Sequence, residues 1–216
     1  MDWTAPLDLY CERTAPGFWN EPLNAASNLA FFVAAALALS EWRRNGGRDL
    51  AALGLIGLVA SIGIGSFLFH TFANRWSVMA DVIPITVFIY AMFAVVFRRQ
   101  VGLDWYWTVI SLAVFLRLNL ALEGDLAPYL GGSAGYAPAL FAMVVVAIHL
   151  YRQSHPFGRW LAGAAAVFAV SLTLRTLDLP LCEALPIGTH YFWHAVNAVT
   201  LWLLLTGTMR VPAVAR

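Results

Sequence analysis

Long apolar stretches separated by short polar segments fill most of this chain. A helix needs about 20 apolar residues to cross roughly 30 Å of hydrocarbon. The pattern predicts seven spanning helices, at roughly 23–41, 51–72, 78–97, 105–122, 136–151, 158–177 and 190–209. Because the fifth stretch is short and the fourth contains Arg117, six or eight spans are the alternatives. The connections are too short for a separate soluble domain, so residues 1–216 are predicted to form one all-α membrane domain with an outer N-terminal segment, 1–22.

Composition supports a membrane protein and excludes several other classes. The chain is 61% hydrophobic and 12% charged, whereas a soluble domain is roughly 45 to 50% apolar and about 25% charged. A net charge of +1 without a basic stripe or a phosphate-binding glycine loop gives no indication of nucleic-acid binding. Residues 1–20 lack the basic and apolar regions of a signal peptide and are expected to be retained. We expect the chain to be embedded in a lipid bilayer and to have no obligate protein partner.

The arginines predict the orientation of the spans. Every basic residue apart from histidine is arginine, and most arginines follow odd-numbered spans. These positions are Arg43, Arg44, Arg48, Arg98, Arg99, Arg152, Arg159, Arg210 and Arg216. By the positive-inside rule they are cytoplasmic, so the N-terminus is predicted outside and the C-terminus inside. A bacterial inner membrane suits such a chain, as does an endoplasmic reticulum or Golgi membrane.

Five polar residues from three predicted helices are expected at one depth of the bilayer. Ser66 and His70 lie four residues apart near the outer end of the second span, and Asp81 follows near the outer end of the third. His190 and His194, also four apart, begin the seventh. Residues at i and i+4 share a helical face, and ionisable groups inside a bilayer tend to mark function. The pattern predicts a site in the outer leaflet.

Three histidines in such a site are typical of catalytic zinc. A His₃ set leaves a fourth position open for water, and zinc lowers the pKa of that water to about 7. Asp81 would then orient a histidine or take a proton from the water, and Ser66 would position the water or donate to an oxyanion. The alternative is that a membrane histidine such as His70 serves only as a helix contact.

The two cysteines, Cys11 and Cys182, are both predicted outside. An oxidising exterior permits a disulfide between them, and the alternative is two unpaired thiols. The bridge would tie the N-terminal segment to the loop that leads into His190.

Acidic residues crowd the outer N-terminal segment. Asp8, Glu12 and Glu21 lie near Asn24 and Asn28, and clusters of oxygen ligands of this kind can hold calcium. The alternative is a solvated acidic loop.

Other patterns inside the spans concern packing. A glycine series in the second span predicts close approach of a neighbouring helix; it comprises Gly54, Gly57, Gly63 and Gly65. Arg175 and Asp178, three residues apart, are predicted to form an ion pair.

The motifs together resemble a known family. They are Y-C-E at 10–12, F-W-N-E-P-L-N-A-A-S-N at 18–28, S-F-L-F-H at 66–70, Asp81, and H-Y-F-W-H at 190–194. They resemble the alkaline ceramidases, within a superfamily of seven-helix hydrolases that includes adiponectin-receptor-like proteins. Around Cys11 the chain reads D-L-Y-C-E-R-T, whereas the family pattern is D-W-C-E-x-N, so Arg13 and Thr14 follow Glu12 here.

The resemblance implies a zinc-dependent amidase that cleaves ceramide to a sphingoid base and a fatty acid. It implies that His70, His190 and His194 bind zinc and that Ser66 and Asp81 assist the water. It further implies an outer calcium site formed by N-terminal acidic residues such as Asp8, Glu12 and Glu21, and a disulfide like the one between Cys11 and Cys182.

The resulting hypothesis is hydrolysis of a lipid amide, an activity of the EC 3.5.1 type, at the outer, periplasmic or lumenal leaflet. One rival is a zinc-dependent phospholipase or esterase acting on glycerolipids. Another is a receptor or structural protein in which zinc only staples the helices together.

Overall fold

The computed structural model describes residues 2–214 of the chain and is built from helices. Met1 lies outside the described residues, as does Arg216, which contributed to the predicted orientation. The α-helices are α1 (Pro22–Ser27), α2 (Leu29–Arg44), α3 (Leu50–Phe72), α4 (Arg75–Val96), α5 (Trp105–Leu130), α6 (Ala137–Arg152), α7 (Phe157–Thr176) and α8 (His190–Arg210). Residues 2–214 contain no strand beyond one isolated bridge between Pro6 and Asn74. The all-helical prediction is thereby confirmed.

Several helical stretches are long and apolar enough to cross a membrane. Within the described residues there are five, namely Pro22–Arg44, Leu50–Phe72, Arg75–Val101, Trp105–Arg152 and Phe157–Thr176. They fit an integral membrane protein. The polar residues of α8 lower its hydropathy, and α8 is not among the five. The count of seven spans and the orientation of the termini stay predictions.

Most predicted helix positions agree with the structure to within a few residues, and the largest difference is at the end of α5. The predicted span stopped at 122 because Glu123 and Asp125 follow it. The helix nevertheless continues to Leu130 and ends at Gly131, whose φ of 52° lies in the left-handed region. Polarity alone does not end a helix, whereas a left-handed glycine does.

Helices α3 and α4 pack closely where α3 carries Gly65. A Cβ placed on Gly65 would lie 2.0 Å from the carbonyl oxygen of Ala80. Pro84, inside α4, has no N–H to donate to that oxygen. The predicted role of the glycine series in close packing holds for Gly65 and also for Gly63, where a Cβ would lie 3.0 Å from the Phe32 ring.

The other two glycines of the series have no such role. A Cβ on Gly54 or Gly57 would meet no atom of the described residues within 4 Å. Among these four glycines, the close approaches are therefore those of Gly63 and Gly65, in the half of α3 that carries Ser66 and His70.

Candidate functional site

Three buried histidines converge where the ends of α3 and α8 meet. His70, His190 and His194 have exposed fractions of 0%, 2% and 1%, and one side-chain nitrogen from each lies within 4.8 Å of the others. The i, i+4 spacing places both α8 histidines on one helical face, and their ring centroids are 4.6 Å apart. The three rings form a compact group that can hold a metal ion.

His70 is held by Glu21, the residue that precedes α1. The Glu21 carboxylate, 1% exposed, contacts Nδ1 of His70 through one oxygen and pairs with Arg13 through the other. Burial raises the pKa of Glu21, but hydrogen bonds from His70, Arg13 and Asn24 outweigh it and lower that pKa below its usual value. A charged Glu21 thus fixes Nδ1 and directs Nε2 of His70 into the site.

His194 is held by Ser27 at the end of α1. The Ser27 hydroxyl lies 2.7 Å from Nδ1 of His194, and the Ser66 hydroxyl lies 3.4 Å from its Nε2. The shorter contact orients the ring, so Nε2 faces both Ser66 and the other histidines.

His190 is positioned through its backbone and its ring face. Asp178 accepts hydrogen bonds from the N–H groups of Thr189 and His190, at 2.7 and 2.9 Å. These satisfy N–H groups at the start of α8 that have no partner within the helix. Tyr10 stacks on the His190 ring with centroids 3.7 Å apart.

Two histidine nitrogens of the group have no hydrogen-bond partner in the described part of the chain and are available to bind a metal ion. Nε2 of His70 and Nδ1 of His190 are buried without a hydrogen-bond partner among residues 2–214. Buried polar atoms in proteins almost always have a partner, and a set of neutral imidazoles is suited to zinc and other divalent transition metals.

Asp81 and Ser66 border the histidine group. Both are buried, at 9% and 3% exposure, and Oδ1 of Asp81 has no hydrogen-bond partner among residues 2–214. Asp81 follows Ala80, whose carbonyl contacts Gly65, so the packing of α3 against α4 brings Asp81 close to the turn that carries Ser66. All five polar residues selected from the sequence therefore lie at one end of the bundle.

The predicted calcium residues have different environments. Asp8 is exposed, whereas the Glu12 carboxylate accepts hydrogen bonds from the backbone N–H groups of Leu23 and Asn24, at 2.7 and 2.8 Å. Within residues 2–214 the three histidines form a group with metal-binding geometry, and Asp8, Glu12 and Glu21 do not join into one. Calcium binding stays a prediction.

The predicted disulfide is confirmed. Cys11 and Cys182 are bonded, with Cα atoms 5.4 Å apart. Oδ2 of Asp178 also accepts a hydrogen bond from the Cys11 N–H, at 3.0 Å. The bridge holds the N-terminal segment, including Tyr10, against the start of α8.

The predicted ion pair between Arg175 and Asp178 is wrong. The salt bridges within residues 2–214 do not include it, because both Asp178 oxygens accept backbone N–H groups instead. Arg175 donates to the hydroxyl of Tyr10 at 3.1 Å and lies 5.4 to 5.7 Å from the rings of Tyr10, Tyr136 and Trp193.

Sequence reasoning missed several residues that support the site. Tyr10 and Ser27 belong to the motifs at 10–12 and 18–28, but the sequence pattern indicated no role for either residue. Asp178 was predicted to pair with Arg175 and instead binds backbone N–H groups. Ser27 and Tyr10 contact the rings of His194 and His190, which are distant in the sequence, and Asp178 accepts from the backbone N–H of His190. Spacing along the chain carries no signal for contacts of that kind.

Comparison with known protein families gives a match over most of the chain. The family model described as Ceramidase matches residues 4–212. A comparison with curated protein sequences found no match.

Proposed function

The chain belongs to the ceramidase family, and on that basis we propose that it is a zinc-dependent intramembrane amidase. It hydrolyses ceramide or a related N-acyl lipid to a free fatty acid and an amine such as a sphingoid base. The observation that carries the proposal is the group of three buried histidines next to Asp81 and Ser66.

His70, His190 and His194 would hold the zinc ion. When bound, zinc supplies Lewis-acid polarisation of a carbonyl and lowers the pKa of water to about 7. Glu21 and Ser27 keep the rings of His70 and His194 in position through their second nitrogens, which favours one arrangement of the donor atoms.

Asp81 would transfer the proton, and Ser66 would stabilise the negative charge that develops on the carbonyl oxygen. Asp81 takes a proton from the attacking water through its unpartnered oxygen as the water oxygen bonds to the amide carbon. The Ser66 hydroxyl donates a hydrogen bond to the oxyanion that forms. When the carbon–nitrogen bond breaks, the proton on Asp81 passes to the amine, and Asp81 returns to its ionised form.

The bundle interior would hold the acyl chain. An apolar cavity of about 60 Å³ begins one turn from the polar site, with Ile62 four residues before Ser66, Ile85 four after Asp81 and Asn197 three after His194. It continues between the helices toward Met92 and Val96. An N-acyl lipid would place its amide at the histidines and its chain along this cavity, whose lining side chains would move apart to admit the chain.

A bulky residue in the lining of this cavity should therefore shorten the preferred acyl chain. Met92→Trp is expected to lower kcat/KM for long-chain amides relative to short-chain amides by about tenfold, since lost contacts of one or two methylenes have effects of this size. The control is Met79→Trp, on the same helix but 41% exposed. An unchanged chain-length profile in Met92→Trp would remove the cavity from the proposal.

We place the site toward the outer leaflet of a single membrane domain with seven spans, an outer N-terminus and a cytoplasmic C-terminus. The arginine distribution supports that orientation. The membrane is bacterial inner membrane or endoplasmic reticulum and Golgi, and the substrate enters sideways from the bilayer.

The test is hydrolysis of a lipid panel with metal content measured on the same sample. N-acyl sphingoid bases, N-acyl amino lipids and phospholipids are offered to the detergent-purified protein, to His194→Ala and to His149→Ala, whose histidine is exposed on α6. We expect about one zinc per chain and fatty-acid release from the amides, with both lost in His194→Ala and both kept in His149→Ala.

Other outcomes have definite meanings. Turnover by His194→Ala without metal would exclude the metal mechanism. Release from phospholipids instead of amides would indicate an esterase, and bound zinc without release from any lipid would indicate a receptor or structural protein.

A further inference from the structure

Arg13 is the buried cation of the N-terminal segment. Its side chain is 5% exposed, and its guanidinium contacts four oxygens. Nε pairs with the Glu21 carboxylate, Nη1 donates to the carbonyls of Ala15 and Gly17 at 3.4 and 3.1 Å, and Nη2 donates to the carbonyl of His70 at 3.2 Å.

These oxygens are of the type that binds a hard cation. One carboxylate and several backbone carbonyls are typical ligands of calcium. Here they surround a positive charge that the chain itself supplies. The planar guanidinium presents its donors in a fixed fork, so a single side chain reaches oxygens from three parts of the sequence.

The contacts of Arg13 lead directly to His70. The Glu21 oxygen not paired with Arg13 contacts Nδ1 of His70 and also accepts from Asn24 at 3.1 Å. The His70 carbonyl lies in the last turn of α3, where carbonyls have no partner within the helix, and a basic side chain there is favourable. Arg13 thus holds His70 at its backbone and, through Glu21, at its ring.

The remaining acidic residues of the segment are not gathered around the guanidinium. Glu12 uses both carboxylate oxygens on backbone N–H groups, and Asp8 is exposed. The charge of Glu21 is therefore compensated by Arg13, without a requirement for a bound ion.

We propose that Arg13 is a positioning residue that takes the place of a calcium ion and holds Glu21 and His70 in the geometry needed for the metal site. The proposal rests on the proposed role of His70 as a metal ligand. Metal binding and activity should then be independent of calcium, and removal of Arg13 should open an oxygen-lined space that a small cation can enter.

Two measurements on the purified full chain test this without requiring turnover. The first is calorimetric titration with CaCl₂ in calcium-depleted buffer, in which the wild-type protein should give no binding heat. The second is zinc affinity by competition with a chromophoric chelator. Arg13→Ala should bind zinc about tenfold more weakly, since loss of a residue that supports a ligand typically costs 10- to 100-fold.

Rescue separates a positioning role from a merely structural one. Added guanidinium ion or CaCl₂ should restore zinc affinity, and lipid hydrolysis where it is measured, to Arg13→Ala but should not affect the wild type. Arg13→Lys should be intermediate, because an ammonium can pair with Glu21 but cannot reach all four oxygens. Arg75→Ala, at an exposed arginine on α4 at the same end of the bundle, should behave as wild type.

Three results would overturn the proposal: stoichiometric calcium binding by the wild type, calcium-dependent zinc affinity in the wild type, or wild-type zinc affinity in Arg13→Ala. If Arg13→Ala does not fold, the zinc affinity of Arg13→Lys and the calcium titration of the wild type still test the proposal. A wild type that binds zinc independently of calcium but hydrolyses no lipid would contradict the proposed function and leave the role of Arg13 intact.

Discussion

At the scale of single residues, the candidate ligands are held before any metal arrives. Glu21 and Ser27 fix the second nitrogens of His70 and His194, and Tyr10 lies against the His190 ring. A ligand whose rotamer is already fixed loses little conformational entropy on binding, and a hydrogen bond to its second nitrogen also sets the tautomer. Metal affinity should therefore depend on residues that never touch the metal.

The Ser27 hydroxyl is the simplest of these to remove. Ser27→Ala should weaken zinc binding by about 10- to 100-fold, because Nδ1 of His194 loses its 2.7 Å contact. Chelator competition measures the change. Ser61→Ala, at an exposed position on α3, is the control, and equal affinities of the two variants would show that Ser27 does not orient the ring.

An ion pair at the opposite end of the bundle gives a prediction about pH. Asp49 caps α3 by accepting from the Ala52 N–H at 3.1 Å and pairs with Arg99. The hydrogen bonds from Arg99 lower the pKa of Asp49 below its usual 3.8. Because the folded pKa is depressed, the stabilisation is present at neutral pH and is lost as pH falls through about 4 toward the folded pKa.

Asp49→Asn keeps the capping oxygen and removes the charge. Its thermal unfolding in detergent should show a loss below about 1 kcal/mol at neutral pH, since the pair is partly exposed, and the difference from wild type should shrink as the pH is lowered. Arg99→Gln should behave alike, and the double variant should lose no more than either. A difference that stays constant with pH would refute the role of the ion pair.

The candidate ligands and the Asp81 carboxylate could be selected from the sequence, whereas the residues that hold the ligands in position could not. His70, Asp81 and His194 have side chains that are costly in a membrane, so helical spacing and depth were enough to select them. Ser27 and Arg13 gain their roles from contacts across 167 and 57 positions of sequence. Such contacts depend on how the helices pack.

At the scale of helices, the contact between α3 and α4 sets the geometry of the site. Gly65 lies against the Ala80 carbonyl, and the residues that follow these two, Ser66 and Asp81, are the proposed catalytic pair. A larger distance between the helices would separate them.

Gly65→Ala tests this contact. The added methyl group would lie 2.0 Å from the Ala80 oxygen, so the helices must move apart, at a cost typically of about 1 to 3 kcal/mol. We expect a lower unfolding temperature and loss of most hydrolysis. Gly57→Ala adds the same group to the same helix in open space and should be neutral, and equal behaviour of the two would argue against close packing as the cause.

Helix positions followed from hydropathy, whereas their ends and contacts required more. Helix α5 ends at Leu130, eight residues beyond the predicted end at 122, and this end depends on the backbone of Gly131. Of four glycines that looked equivalent in the sequence, Gly63 and Gly65 make close contacts and Gly54 and Gly57 do not. A single sequence does not reveal which face of α3 meets a neighbour.

At the scale of the whole molecule, the disulfide fastens the N-terminal segment over the site. Cys11 lies between Tyr10, which covers His190, and the Glu12–Arg13 pair of residues that leads to α1. Its partner, Cys182, lies in the loop before α8. One covalent bond therefore restrains both the N-terminal segment and the loop before α8.

Reduction or Cys182→Ser should lower the free energy of unfolding by about 2 to 4 kcal/mol, because the unfolded chain gains freedom when a long loop is opened. Thermal unfolding with and without reductant measures the effect. Zinc affinity should fall as well, since Tyr10 and Arg13 lose their restraint. A reductant effect on a Cys11→Ser/Cys182→Ser variant would point to another cause.

The position of the disulfide in the sequence also limits when the site can form during synthesis. Its cysteines are 171 residues apart, and His190 and His194 follow the second of them. A nascent chain that has inserted α1–α7 still carries an unpaired thiol at Cys11 and a single ligand, His70. Disulfide formation must therefore wait for Cys182, and the complete group of three histidines must wait for the start of α8, so the candidate metal site cannot form before the chain has been synthesised through His194.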